Sequence, residues 1–427
     1  MKYILSATIA ALLVVSTSHA ALAQTQASSL AQSQATNFKR DKNVSVRERP
    51  RPDYEAVGVK TGGFTLYPRV TVALEHNDNI YATKSDEKTD NIWRVKPEVA
   101  LRSNWSRNAL GAFASASINR YSDFDTENTE EYTLAVNGRL DVQRGATVSG
   151  SVQYQALTEP RTSPQSPVGA VKPIEYSLVT SKVTGVKEFN RLRLTARLND
   201  QDYNYDDGTN IAGGVVEQDN RDRNEFYFGG KVEYAVSPDT AVYFQALGNN
   251  KDYDLATSGR DSDGFVTTVG ANFEVSDLVR GDIAVGYMKQ SYDNPSYGKI
   301  DGFSGEGSVE WFPTPLTTVT ATGGRTIEEA VASGAPGYIA NAIGINVDHE
   351  LLRNVLLSAN ANYGKDDYEK IDRTDKRTGA GASAAYLLNR RVGLFLTYTY
   401  LKQNSSGGDH GTSFTDNKLA ASVALQF

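Results

Sequence analysis

Charged side chains recur at alternate positions through this sequence. In NIWRVKPEVALR, Arg94, Lys96, Glu98 and Arg102 fall on one parity, while Val95, Val99 and Leu101 fall on the other. RLRLTARLN repeats the arrangement with Arg193 and Arg197 set against Leu192, Leu194, Ala196 and Leu198. NEFYFGGKVEYAV sets Glu225, Lys231 and Glu233 against Phe226, Phe228, Val232 and Tyr234. By the same rule Arg69, Arg139, Glu274, Asp282, Glu306 and Glu310 turn away from apolar neighbours. Residues two apart share one face of a strand, so these side chains are candidates for one polar wall. Its basic members come mainly from the first half of the alternating stretches and its acidic members mainly from the eighth to the twelfth. Such a wall can hold water and structural ion pairs, or set a transverse field that orients a polar solute.

Other chemistry finds little support. Of the four histidines, His76 neighbours Asp78 and His410 follows Asp409, the minimum for an Asp-His pair. In loops this rich in aspartate such neighbours arise by chance, and no serine sits in a nucleophile motif, so no catalytic residue and no enzyme are expected. His19 falls in the leader and His349 at a short turn. The chain has no cysteine, which excludes a disulfide framework and any thiol-based metal or redox site. The carboxylates of SDEKTD, DTENTEE and KDDYEK could hold calcium or magnesium against lipopolysaccharide phosphates. They match no fixed ligand spacing, and neither a metal site nor a cofactor is expected. A formal charge of −7 argues against a nucleic-acid partner.

The elements that must carry the polar wall are strands. Thirty-six glycines and 23 tyrosines against two methionines favour strands and tight turns over helices. Residues 1–23 read as a secretory signal peptide, with Lys2 before an apolar core and Ala21-Leu22-Ala23 at the exit. Residues 24–62 are Gln- and Ser-rich and then proline-broken, and read as a disordered, then extended, segment. From 63 to 427, alternating stretches are separated in turn by short connections such as QRGA, SPD and LLRN and by long acidic loops such as DFDTENTE and GKDDYEKIDRTDKRTG. That asymmetry predicts an all-β fold, a single-chain antiparallel transmembrane β-barrel of about 18 strands (16 as the rival count) with short periplasmic turns and long external loops. The stretches at 176–189 and 317–325 alternate poorly and could be mispaired or bulged.

The barrel is placed in the outer membrane of a Gram-negative bacterium, in contact with its lipid and lipopolysaccharide, with the N-terminal segment in the periplasm. Two aromatic girdles are predicted. Tyr67, Trp105, Phe189, Tyr234, Phe273, Trp311, Tyr386 and Phe427 lie beside short turns; Trp93, Tyr121, Tyr132, Tyr203, Tyr253, Tyr292 and Tyr368 lie near long loops. The apolar stretch LAASVALQF requires a partner strand, and the first strand closing on it would abolish the edge. Phe427 is also the candidate signal for the outer-membrane assembly machinery.

One stretch carries a resemblance. RERPRPDYEAVGVKTGGFTLYPRVTVALEHNDNIYAT, from Arg47 to Thr83, joins a proline-linked approach to a FxLYP-like first strand and the corner His76-Asn77-Asp78-Asn79-Ile80-Tyr81. It resembles the entry segment of the type 2 family of β-barrel porins. The resemblance implies an outer-membrane channel for export of exopolysaccharide or capsular polysaccharide, with periplasmic export components as partners. Composition and periodicity imply only a wide, polar-lined barrel. A diffusion or uptake porin for small polar solutes, and a structural or adhesive surface barrel, stand as alternatives.

Overall fold

The computed structural model of the chain describes residues 43–167 and 169–427; the signal peptide expected at 1–23 and residues 24–42 lie outside them. The first seven wall strands are β1 (Phe64–Asn77), β2 (Asp90–Ser103), β3 (Ala109–Tyr121), β4 (Thr129–Gln143), β5 (Ala146–Thr158), β6 (Glu175–Phe189) and β7 (Leu192–Tyr205). They are followed by β8 (Arg223–Ser237), β9 (Thr240–Tyr253), β10 (Ser262–Val275), β11 (Val279–Tyr292) and β12 (Lys299–Thr314). The last six are β13 (Thr317–Glu329), β14 (Gly337–Leu352), β15 (Val355–Tyr368), β16 (Thr374–Leu387), β17 (Val392–Ser406) and β18 (Phe414–Gln426).

The sheet contains 19 strands; one is the three-residue Val59–Thr61, which doubles back on β1, so 18 form the wall. Gly62, at φ 56°, takes the left-handed conformation that this tight reversal requires. The ring closes where β1 meets β18, from Arg69 opposite Gln426 to Asn77 opposite Lys418. Closure leaves no backbone edge for hydrocarbon to strip of hydrogen bonds, so LAASVALQF needs no protecting charge. Along β18, Leu419, Val423 and Leu425 are exposed while Ala420, Ser422 and Ala424 are buried. Apolar side chains therefore face outward and small or polar ones inward, as lipid outside and a polar lumen require.

The HNDNIY corner fastens the seam. Asn79 donates its side-chain amide to the carbonyls of Thr83 (2.7 Å) and Thr415 (2.8 Å), while Asp78 accepts from the backbone and side chain of Asn417 at 2.8 and 2.7 Å. Thr415 and Asn417 belong to β18, so a motif next to β1 holds the first and last strands together. Asp78 is thereby committed to the seam; His76 bonds Asn91 at 3.0 Å instead.

Two parts depart from a plain cylinder. β12 pairs with β13 only from Gly305 opposite Arg325 to Thr314 opposite Thr317, with a bulge between Trp311 and Thr314. The upper part of β12 pairs with β11 alone, and β13 beyond Arg325 pairs with β14 alone. The β13–β14 hairpin thus leaves the wall and bends inward, laying Ile327 and Ile339 on Met288, Tyr292 and Ile300 of the inner face. Poor alternation in this strand marks the bend, whereas β6, the other poorly alternating strand, pairs with both neighbours without a shift. The second departure is the N-terminal segment: residues 46–55 form turns packed inside the short-turn end, where the sequence led to an extended linker.

Candidate functional site

Each charged residue predicted for the polar wall lies on the parity opposite the exposed apolar side chains. Most are held by neighbours, not by charges across the lumen. Arg69 faces Glu98 at 3.8 Å, and Lys96 reaches the same carboxylate at 3.2 Å. Arg94 pairs with Glu75 at 3.4 Å and donates to Asn119 at 2.6 Å, while Arg102 lies over the Tyr67 ring at 5.3 Å. Arg139 pairs with Asp141 at 3.0 Å, and Arg193 with Glu188 at 2.8 Å beside the directly opposed Glu233. Glu225 takes Arg223 at 2.7 Å and the Tyr227 hydroxyl at 2.5 Å. Lys231 lies 3.7 Å from the Tyr243 ring centre, whose hydroxyl donates to Asp282 at 2.5 Å. Glu274 stands opposite Arg280, which is ion-paired with Glu310. Arg197 is within electrostatic reach of Glu306 on β12, five strands away around the ring.

The aromatic assignment needs correction at one position beside the short turns and at most positions near the long loops. Trp105, Phe189, Tyr234, Trp311, Tyr386 and Phe427 are exposed on the outer face near the short turns, but Tyr67 points inward against Ala100 and Phe113. Of those predicted near the long loops, Trp93 and Tyr132 face out; Tyr121, Tyr203, Tyr253, Tyr292 and Tyr368 share the inward parity, and the last three are buried. Position along a strand located these tyrosines, while parity, which decides the face, sends them into the mouth. There they form a collar, with Tyr338 stacked on Tyr368 at 4.9 Å and Tyr176 on Tyr205 at 4.9 Å.

The inward hairpin completes this closure. Glu329 accepts from Lys251 at 2.7 Å and from the Tyr253 hydroxyl at 2.9 Å. Gln165, in the loop between β5 and β6, donates to the Glu329 carbonyl and accepts from the Val331 amide, both at 2.8 Å. That loop starts eight strands away from the hairpin around an 18-strand ring, so the two meet from nearly opposite sides of the mouth. The loop is anchored by Arg161 on Glu127 at 2.7 Å and by Glu159 on Arg221 at 2.8 Å. Burial pulls the Arg221 guanidinium down, but the Glu159 carboxylate outweighs it and the group ends above its ordinary range.

At the other end the N-terminal segment lies against the inner wall, with contacts running from β11 to β18. Val46 packs on Leu356 and Ala385 and donates its amide to Thr318 at 3.0 Å. Arg47 pairs with Asp348 at 2.7 Å, and Arg49 and Arg51 converge on Glu350 at 3.2 and 2.7 Å. Glu48 accepts from Arg280 at 2.8 Å, and the Tyr54 carbonyl accepts from Gln426 at 3.1 Å. Burial holds the Arg51 guanidinium below its ordinary value against the pull of Glu350. Glu75, Lys251, Glu329, Asp348 and Glu350 are thus as much part of the lumen as the residues predicted. Parity alone could have found Glu75, Lys251, Asp348 and Glu350; Glu329, which reverses its face at the bend, carries no such signal.

No curated protein is similar to the chain. Among solved structures it is similar to OccK5 (OpdH) from Pseudomonas aeruginosa, at 10% identity over 85% of this chain and 98% of that one, with a TM-score of 0.45. It is also similar to OpdQ from Pseudomonas aeruginosa, at 9% identity over 85% and 98% with a TM-score of 0.48. A BenF-like porin from Pseudomonas fluorescens Pf-5 matches at 11% identity over 85% and 99%, with a TM-score of 0.46. Residues 51–427, which include the whole closed wall and the seam corner, match the family described as "Putative beta-barrel porin 2", and the chain is therefore an outer-membrane β-barrel porin of that family.

Proposed function

We propose that this barrel is a diffusion channel for small polar solutes, with its long loops outside the cell and its short turns and N-terminal segment in the periplasm. The observation that carries the reading is the contact of Gln165 with Glu329 and Val331, which spans the mouth at the long-loop end. With residues 46–55 seated against the wall of the opposite end, the path left to a solute is reduced from both ends and bounded by polar and charged side chains. The export role implied by the resemblance would thread a polymer through the same mouth and past the same segment. Small-solute passage needs neither element to leave. Liposome swelling with the purified barrel tests this: swelling is expected with pentoses and to fall steeply toward trisaccharides. Equal swelling for all sizes overturns the reading, as does loss of surface polysaccharide in a deletion strain complemented only by the intact gene.

A further inference from the structure

Between the two occupied ends, one pair of cations lacks a contacting carboxylate. Lys182 lies opposite Asn199 and Arg197 opposite Thr184, which makes the two cations diagonal neighbours on the inner faces of β6 and β7. Neither makes an ion pair among the described residues. Arg197 feels Glu306 of β12, but Glu306 is shared with Lys231; Lys182 feels the like charge of Arg197. Lys182 is exposed, although Thr180 and Val186 on the same face of its strand are buried. It therefore opens on water inside the barrel. The adjoining face of β5 brings Ser149 opposite Thr184, and its hydroxyl is buried with no hydrogen-bond partner. Two like charges held together in a confined space repel, and an anion lodged between them turns that repulsion into attraction. An idle hydroxyl beside them supplies the third donor that a planar oxyanion group accepts.

We propose that Lys182 and Arg197, with the Ser149 hydroxyl, form a binding site for the carboxylate of a small organic acid passing through the lumen. The site rests on the channel reading for access, but its occupancy is measurable without conduction. Radiolabelled succinate is dialysed to equilibrium against the detergent-solubilised barrel, with erythritol as the neutral solute of similar size. Saturable succinate binding is expected, weakening as salt rises. K182Q/R197Q is expected to lose about tenfold or more in affinity, the scale of one charge-assisted contact, while K182R/R197K keeps it. Heat-modifiable gel mobility confirms that each variant is folded. Absence of saturable binding by the unaltered protein, equal binding of erythritol, or undiminished binding by folded K182Q/R197Q overturns the site. Solute passage in liposomes without succinate binding removes the site and leaves the channel; succinate binding without passage of any solute does the reverse.

Discussion

At the scale of single residues, two side chains concentrate the structural work. Asn79 joins the loop after β1 to β18 by direct hydrogen bonds, so Asn79→Ala leaves the carbonyls of Thr83 and Thr415 without this donor. A loss of about 1–3 kcal/mol follows from stranding such groups. The temperature at which the barrel shifts from fast to slow gel mobility is expected to fall; an unchanged temperature contradicts the seam role. Glu350 gathers Arg49, Arg51 and Arg353. Its replacement by Gln leaves the buried Arg51 uncompensated, at a cost of about 3–5 kcal/mol when a buried pair is broken. Limited proteolysis is expected to cut within residues 46–55 of that variant while the wall survives, and equal resistance contradicts the docking. Much of this was legible beforehand: parity alone turned Arg94, Arg193 and Glu233 to the lumen. Their partners were not, because Arg94–Glu75 and Arg193–Glu188 depend on which residues face each other across strands, a register that no single stretch contains.

At the scale of elements, the β13–β14 hairpin governs the mouth. Gly337 lies where an added Cβ would come within 2.7 Å of the Tyr292 hydroxyl and 2.6 Å of the Glu328 carbonyl, so the bend needs a residue without a side chain. Gly337→Val is expected to push the hairpin off Met288 and Ile300, breaking the Gln165 bridge and raising single-channel conductance. Conductance equal to the unaltered protein contradicts the constriction. The strands themselves were readable from period-two alternation, since lipid on one side and water on the other impose it on every wall strand. Where the hairpin enters the lumen that rule lapses, and Ile339 is buried and Ile327 partly buried against the inner wall although their parity is outward. The collar tyrosines were misassigned for a related reason: an aromatic near a strand end suits either a lipid interface or a packed mouth, and composition does not separate them.

At the scale of the whole molecule, the ring of 18 strands fixes a polar interior, and the two inserted elements decide how much of it is open. Orientation has its own check. A tag placed at Asp409 is expected to be labelled on intact cells and one at Asp53 only after permeabilisation; the opposite pattern reverses the proposed topology. The central claim is that the lumen is narrowed from both ends by the chain's own N-terminal segment and β13–β14 hairpin. Single-channel recording in planar bilayers tests it most directly, comparing the mature chain with a variant that lacks residues 24–58 and carries Gly337→Val. The mature barrel is expected to open in small steps and the variant in steps several-fold larger, approaching those of a water-filled barrel of this strand number. Large steps of equal size in both would contradict the account.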